Sequence, residues 1–417
     1  MGKQTINRAQ PSIVVWDNLE EWVRRKVQEF IQSLLDEEVT ELLGRRKSER
    51  RRAVDSSPVY RNGYGKARRL TLGCGTVTLY RPRVRGLERQ FESRVLPMFA
   101  RRTAEINKLI PQLYLHGLAL GDFDLALRGL LGDAAPVSAS TVARLKEIWQ
   151  AEGEAWKKRP LGGLEVIYIW VDGVYVKAGL EKEKAALLVI VGGLVDGRKV
   201  ILAAEPGYRE STDSWSAVLR DLKERGLNCP RLVTGDGNLG IWGALANVYP
   251  GAAEQRCWNH KIVNVLDKLP KKVQPQAKRL LQDIAYAGSR PEAEDKRDDF
   301  LAWCRKESHR AAGETLGRDW DRMVTFYQFP TEHWKHLRTT NVVESPFAAL
   351  RLRTDAAKRF KKVDNATAVI WKMLMLAEQR FRRLDAPEKL MQVYLRFSLG
   401  DVPDRTEIKQ EEVLVIA

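Results

Sequence analysis

The chain predicts an α/β protein, a mixed sheet with helices on its faces, and three observations lead there. Between residues 161 and 256, β-branched and aromatic runs alternate with helical spacing in the order βββαβαβ. Before and after that stretch, apolar residues recur three or four apart, the period of amphipathic helices. With 417 residues, 44% of them hydrophobic and 8% aromatic, the chain is long and apolar enough for two or three domains with real cores.

From Trp16 to Leu43 the apolar positions hold helical spacing, and Gly44 stops the pattern. That stripe either packs on its own chain or mediates dimerisation. After the run RRKSERRR comes YRNGYGKARRLTLGCGTVTLYRPRVRG, whose Asn-Gly and short β-branched segments predict an arginine-studded hairpin. Residues 103–150 read as three helices, the last with Ser138 or Ser140 as N-cap. The last two are spaced as a helix-turn-helix, which is either a DNA-groove reader or a plain helical bundle.

The sheet begins with LEVIYIWVDGVYVK at 164–177. AALLVIVGGL, an Asp196-Gly197 turn and KVILAAE follow. A helix TDSWSAVLRDLKER, strand RLVTGD, helix LGIWGALANVY and short strand AAEQRC complete it. Three hairpin-joined strands followed by crossovers make a mixed sheet, and its ligand crevice lies off the strand ends. Residues 261–340 read as helical and polar, a helix begins near TTNVVESPF, and WKMLMLAEQRFRRL at 371–384 forms another. The tail carries no pattern.

The formal charge is +16, and residues 43–108 hold 18 Lys/Arg against 5 Asp/Glu, a local net of +13. Such clustering favours a polyanion partner, because each phosphate neutralised releases counterions. Candidate phosphate contacts are Arg45, Arg46, Arg50, Arg51, Arg52, Arg61, Arg68, Arg69, Arg81, Arg83 and Arg85. Four cysteines without short paired spacing imply no disulfide framework, and the polar start MGKQTINRAQ is unlike a signal peptide, so a cytoplasmic protein is expected. No apolar run approaches the roughly 18–20 residues of a membrane span.

Asp172 interrupts the first strand's apolar run. A polar group buried there without a partner costs about 2–7 kcal/mol, so something must compensate it. Asp236, flanked by Gly235 and Gly237, ends another apolar strand. Carboxylates on adjacent strands about 4.8 Å apart can share a cation. Glu344, at the start of a helix carrying Arg351 and Arg353, is a third acid, although a capping or ion-pairing role fits its spacing equally. Three carboxylates can hold two ions about 3.5–4 Å apart for phosphoryl transfer, and all-oxygen ligands suit Mg²⁺ or Mn²⁺.

Four segments in order, WVDGVYVKAG, VTGDGNLGIWGAL, EQRCWNHKIVNVLDKLP and HLRTTNVVESPFAALRLRT, resemble the bacterial mutator-type insertion-sequence transposases over roughly residues 20–385. The resemblance implies a ribonuclease-H-like catalytic domain with a DDE triad, carried over onto Asp172, Asp236 and Glu344. It also implies adjacent first and fourth strands, and an all-helical insertion filling the 108 residues from Asp236 to Glu344. The expected layout is a DNA-binding and oligomerisation region at 1–160, mainly helical with the basic hairpin, and a catalytic domain in two parts, 161–260 and 341–385. The insertion occupies 261–340 and a tail 386–417. The implied activity is binding of terminal inverted repeats, then two-metal strand cleavage and transfer by a homo-oligomer, a dimer, on double-stranded DNA. Lys177, Arg351 and Arg353 join the phosphate candidates.

The family's Cys-x-x-His signature falls on Cys257 and His260, whose role the resemblance leaves open. A four-ligand zinc site would need two more ligands, for which His333 and His336 are candidates; a structural or DNA-contacting role with Trp258 and Asn259 is the alternative. Two rival functions share these residues: a host nuclease or junction resolvase of the same fold, and a DNA-binding regulator whose acids are only structural.

Overall fold

The computed structural model describes residues 16–49, 59–118, 122–131, 139–177, 185–207, 211–237, 239–357, 360 and 362–398. The chain divides into two compact units, 1–145 and 146–417.

In the first unit a short 3₁₀ turn leads into α1 (Leu19–Leu43), which ends at Gly44 as its spacing predicts. Strands β1 (Tyr60–Leu72) and β2 (Gly75–Arg85) form an antiparallel ribbon. The ribbon turns at Gly73-Cys74. The Asn-Gly signal marks something else: Gly63 has φ 65°, and the register shifts between Arg61 and Tyr64, so Asn62-Gly63 forms an irregularity inside β1. α1 packs Ile31 and Leu35 against Leu70, Val77, Leu79 and Leu96. It also covers the ribbon's edge, since Thr78 donates its amide to Gln28 Oε1 (3.2 Å) and Tyr80 its amide to Gln32 Oε1 (2.9 Å). The apolar stripe of α1 thus packs on its own chain, while Phe30 stays exposed. Helices α2 (Ala104–Leu115) and α3 (Asp122–Leu131) follow, and α4 (Ala139–Lys157) spans the unit boundary. Ser140 lies within α4 and so is not its N-cap, and Ser138 lies outside the described residues.

The second unit is built on β3 (Val166–Val176), β4 (Ala185–Leu194), β5 (Lys199–Gly207), helix α5 (Thr212–Glu224), β6 (Leu232–Gly235), α6 (Leu239–Val248) and β7 (Ala253–Arg256). The sheet order is β5-β4-β3-β6-β7; the pairs β5/β4 and β4/β3 are antiparallel, β3/β6 and β6/β7 parallel. The first and fourth strands of this sheet are therefore neighbours. Ile169, Val171 and Val233 pack with Trp215, Leu219, Leu222, Ile241 and Leu245 of α5 and α6 on one face.

Past the register shift between Val166 and Tyr168, alternation sends Tyr168, Trp170 and Asp172 to the other face. There Tyr168 meets Phe329 and His333 edge-on, and Trp170 donates its Nε1 hydrogen to the His336 carbonyl (2.8 Å). This second layer explains why β3 reads as a nearly continuous apolar run. Its chain continues through α7 (Trp258–Leu266), α8 (Gln274–Ala285), α9 (Arg290–Lys306), α10 (Arg310–Gly317), α11 (Trp320–Met323) and α12 (Trp334–Leu337), with 3₁₀ turns and no strand. Then come α13 (Asn341–Glu344), α14 (Phe347–Ala356), α15 (Val363–Glu378) and α16 (Pro387–Ser398). The helix expected at 371–384 begins at Val363 and ends at Glu378, and the patternless tail begins with a helix that buries Leu390 and Val393.

Candidate active site

Three adjacent strands each carry an anchoring residue and, two positions further on, a residue of the site. On β3 the pair is Trp170 and Asp172; Thr234 of β6 is followed by Asp236 and Gln255 of β7 by Cys257, each one residue past its strand's end. The anchors all bond the second layer: Trp170 to His336 O, Thr234 Oγ1 to Leu337 O (3.1 Å), Gln255 Nε2 to Met323 O (3.1 Å). Because side chains two apart share a face, Asp172, Asp236 and Cys257 point towards that same layer. Register aligns them. Trp170 is the last β3 residue paired with β6, opposite Thr234, and Gly235 the last β6 residue paired with β7, opposite Arg256, so Asp172, Asp236 and Cys257 all lie just past the paired stretch at one end of the sheet.

Glu344 reaches this row from the second layer. Residues 336–340 are stitched over the strand ends by the carbonyls of His336 and Leu337, by the Trp258 amide on Arg338 O (3.1 Å), and by the Thr340 amide on Cys257 Sγ (3.3 Å). Glu344 stands one helical turn further, its amide on Thr340 O (3.0 Å). Its carboxylate accepts from the Thr340 hydroxyl and lies 3.9 Å from His260 Nδ1. Cys257, His260 and Glu344 bring ligand atoms within 4.8 Å of one another.

The electrostatics follow from this crowding. Burial pushes the Asp172 carboxyl up to about 7; the Gly173 amide on its Oδ1 (2.8 Å) and His260 oppose that, while Glu344 and Asp236 reinforce it. Contact with the Cys257 sulfur lifts His260 to about 9 against the effect of burial, with Glu344 and Asp172 adding to the rise. His260 is thus held towards its charged form beside the acids. Asp236 is followed by Gly237 at φ 96°, where a Cβ would lie 2.1 Å from Arg256 Nε. Only glycine fits that turn, and Arg256 is itself fixed by Asp319 (2.6 Å).

A match to the family described as "Transposase, Mutator family" runs over residues 3–383. The chain belongs to the Mutator family of transposases. Among its relatives, the transposase of insertion sequence element IS6120 from Mycolicibacterium smegmatis is 42% identical over 68% of this chain and 87% of that protein. The transposase of IST2 from Acidithiobacillus ferrooxidans is 39% identical over 64% and 91%. That of ISRM5 from Rhizobium meliloti is 30% identical over 85% and 86%.

In this Mutator-family chain Cys257, His260 and Glu344 bring their ligand atoms together and Asp172 lies near enough to Asp236, Glu344 and His260 to feel their charges, whereas His333 and His336 do not join them. His333 is held by Tyr168 Oη (2.9 Å) and the Ala386 carbonyl, and His336 by Asp385 (3.3 Å), so the four-ligand zinc arrangement is not formed. Asn259 bonds Asn341 Oδ1 (2.9 Å), a contact internal to the fold. Arg353 is 2% exposed, because residues 347, 350 and 353 share the buried face of α14; the expected phosphate contact there is corrected to a packing role, and Arg351 keeps the exposed face. Lys177 is exposed at the exit of β3, its carbonyl accepting the Phe360 amide.

Of the hairpin-region arginines, four guanidiniums bond their own unit: Arg45 to Val59 O, Arg61 to Thr40 Oγ1, Arg68 to Ala100 O and Arg81 to Phe91 O. Arg46, Arg69, Arg83 and Arg85 are exposed, and Arg50, Arg51 and Arg52 lie outside the described residues. Sequence reasoning missed Thr340. Its one available signal was the four-residue step to Glu344, which places two side chains on one helical face. Among the described residues no helix is long and apolar enough to cross a membrane.

Proposed function

We propose that this chain is a DNA transposase that binds the terminal inverted repeats of its element and catalyses strand cleavage and strand transfer. Its second unit works as a ribonuclease-H-like catalytic domain with Asp172, Asp236 and Glu344 as the DDE triad. The observation that carries this reading is that Asp172 on β3 and Asp236, one residue past the adjacent parallel strand β6, lie near Glu344, which the covering helical layer carries.

The donor set fits hard divalent cations. Burial and like charge push Asp172 up, and bound cations would relieve that repulsion. Asp172, Asp236 and Glu344 would hold two Mg²⁺ or Mn²⁺, which when bound activate water or a 3′-hydroxyl and stabilise the departing oxygen. The chain's own contribution is positioning: β3 and β6 fix the two aspartates, residues 336–340 fix Glu344, and His260 balances their charge. No side chain in the site is assigned as a general base.

The basic first unit supplies repeat-end recognition, with Arg46, Arg69, Arg83 and Arg85 as surface contacts and Lys177 and Arg351 nearer the acids in sequence. A dimer holding two ends is the working assembly, in the bacterial cytoplasm at the nucleoid. The test compares binding and cleavage of a repeat-end duplex with those of a branched junction of unrelated sequence. Preference for the repeat end supports the transposase; preference for the junction would assign a host resolvase, and binding without metal-dependent nicking a regulator.

A further inference from the structure

We propose that Thr340 is a positioning residue for Glu344, and that the buried Cys257 sulfur is the anchor that holds Thr340 in place. This rests on the triad reading above. It gives half of the Cys-x-x-His signature a physical task.

Thr340 is fully buried. Its amide donates to Cys257 Sγ at 3.3 Å, and its hydroxyl lies 3.2 Å from the same sulfur. The hydroxyl also contacts Glu344 Oε1 and sits 3.5 Å from His260 Nδ1. A hydroxyl has one proton to give. Two acceptors, the sulfur and the carboxylate, compete for it, and the contact with the carboxylate is the closer. Cys257 cannot wander, because its own amide donates to Gly235 O (2.7 Å), the residue before Asp236. A chain of bonds therefore runs from the strand end bearing Asp236, through Cys257 and Thr340, to Glu344.

Its consequence is geometric. Glu344 lies in a four-residue helix, an element too short to fix a side chain by itself. The Thr340 clamp supplies the missing constraint, referring the third acid to the β6 strand that carries the second. Cys257 is fully buried, with the Thr340 amide donating to its sulfur and the Thr340 hydroxyl lying against it, which suits an anchor.

The experiment uses the full chain and four variants: Thr340→Val, which keeps shape and removes the hydroxyl, Thr340→Ser, which restores it, Cys257→Ala, and Glu344→Gln as reference. Mn²⁺ binding is read by the paramagnetic signal of free Mn²⁺, alongside metal-dependent nicking and the metal-free melting temperature. Groups that orient metal ligands typically contribute about 10–100-fold to metal affinity or activity, so Thr340→Val and Cys257→Ala should raise the Mn²⁺ midpoint and lower nicking by that order. Thr340→Ser should recover most of both. A Thr340→Val protein that binds Mn²⁺ at the wild-type midpoint overturns the proposal, as does a serine variant as defective as valine. Should Thr340→Val fail to fold, Cys257→Ala decides on the same midpoint. If Glu344→Gln itself leaves nicking and the midpoint unchanged, the triad reading fails instead.

Discussion

Replacing Asp172 with Asn should change the shape of the stability–pH curve. The folded carboxyl is pushed from 3.8 up to about 7, so between those values the native state holds a proton that the unfolded chain has released. Stability must then fall as pH rises through that window, by up to 1.4 kcal/mol per unit, and level off above it. Over about three units the ceiling is roughly 4 kcal/mol. Asn keeps the shape and the acceptor for the Gly173 amide but never ionises, so metal-free Asp172→Asn should be more stable than wild type at pH 8 and equal to it near pH 4. His260, raised from 6.5 to about 9, contributes stability that is present below 6.5 and lost as pH climbs to 9. From pH 4 to 6.5 the difference between the two curves therefore reports Asp172, since the other groups titrating there, His336 among them, are common to both proteins. The assay is urea unfolding of both proteins at half-unit steps in chelator, then with Mg²⁺, which should stabilise wild type more than the variant. Parallel curves for the two proteins would refute the argument that burial and neighbouring acids load this carboxyl.

Further outcomes follow from the same geometry. Gly237→Ala forces a side chain onto Arg256 at a positive φ, a strain of about 1–3 kcal/mol measurable by denaturant melts. It should also cut nicking, since shifts of about 1 Å near reacting groups can cost ~10²-fold. Binding to repeat ends should weaken steeply with salt, log K falling about 0.9 per phosphate neutralised, and removing exposed Arg69, Arg83 or Arg85 should each reduce that slope by about 1. Arg353→Ala should instead lower the melting temperature and leave the slope alone, as its burial on α14 requires.

How much of this was legible beforehand depends on how local the cause was. The β3 run announced itself because its two faces are both covered, and Asp172 stood out against it for the same reason. Asp236 was marked by flanking glycines, one of which the structure shows to be obligatory beside Arg256. Glu344 had a weaker local mark, since the two other acids lie 108 and 172 residues away and its spacing fits a capping or ion-pairing role equally; the four-motif resemblance decided between them. Arg353 was misplaced because its charge was weighed and its three-residue spacing from Leu350 was not. Asn62-Gly63 misled because an Asn-Gly pair suits an irregularity inside a strand as well as a turn. Thr340 and Cys257 were invisible as a pair, 83 residues apart, until the strand ends and the covering segment were seen together.

The most direct test of the central claim is joining of a labelled repeat-end duplex to a target plasmid in Mg²⁺, with wild type beside Asp172→Asn, Asp236→Asn and Glu344→Gln. Wild type should nick and join; each variant should bind the end, melt as a folded protein, and fall by several orders of magnitude in both steps. A folded variant of any of the three that joins at near the wild-type rate would remove that residue from the site and contradict the account.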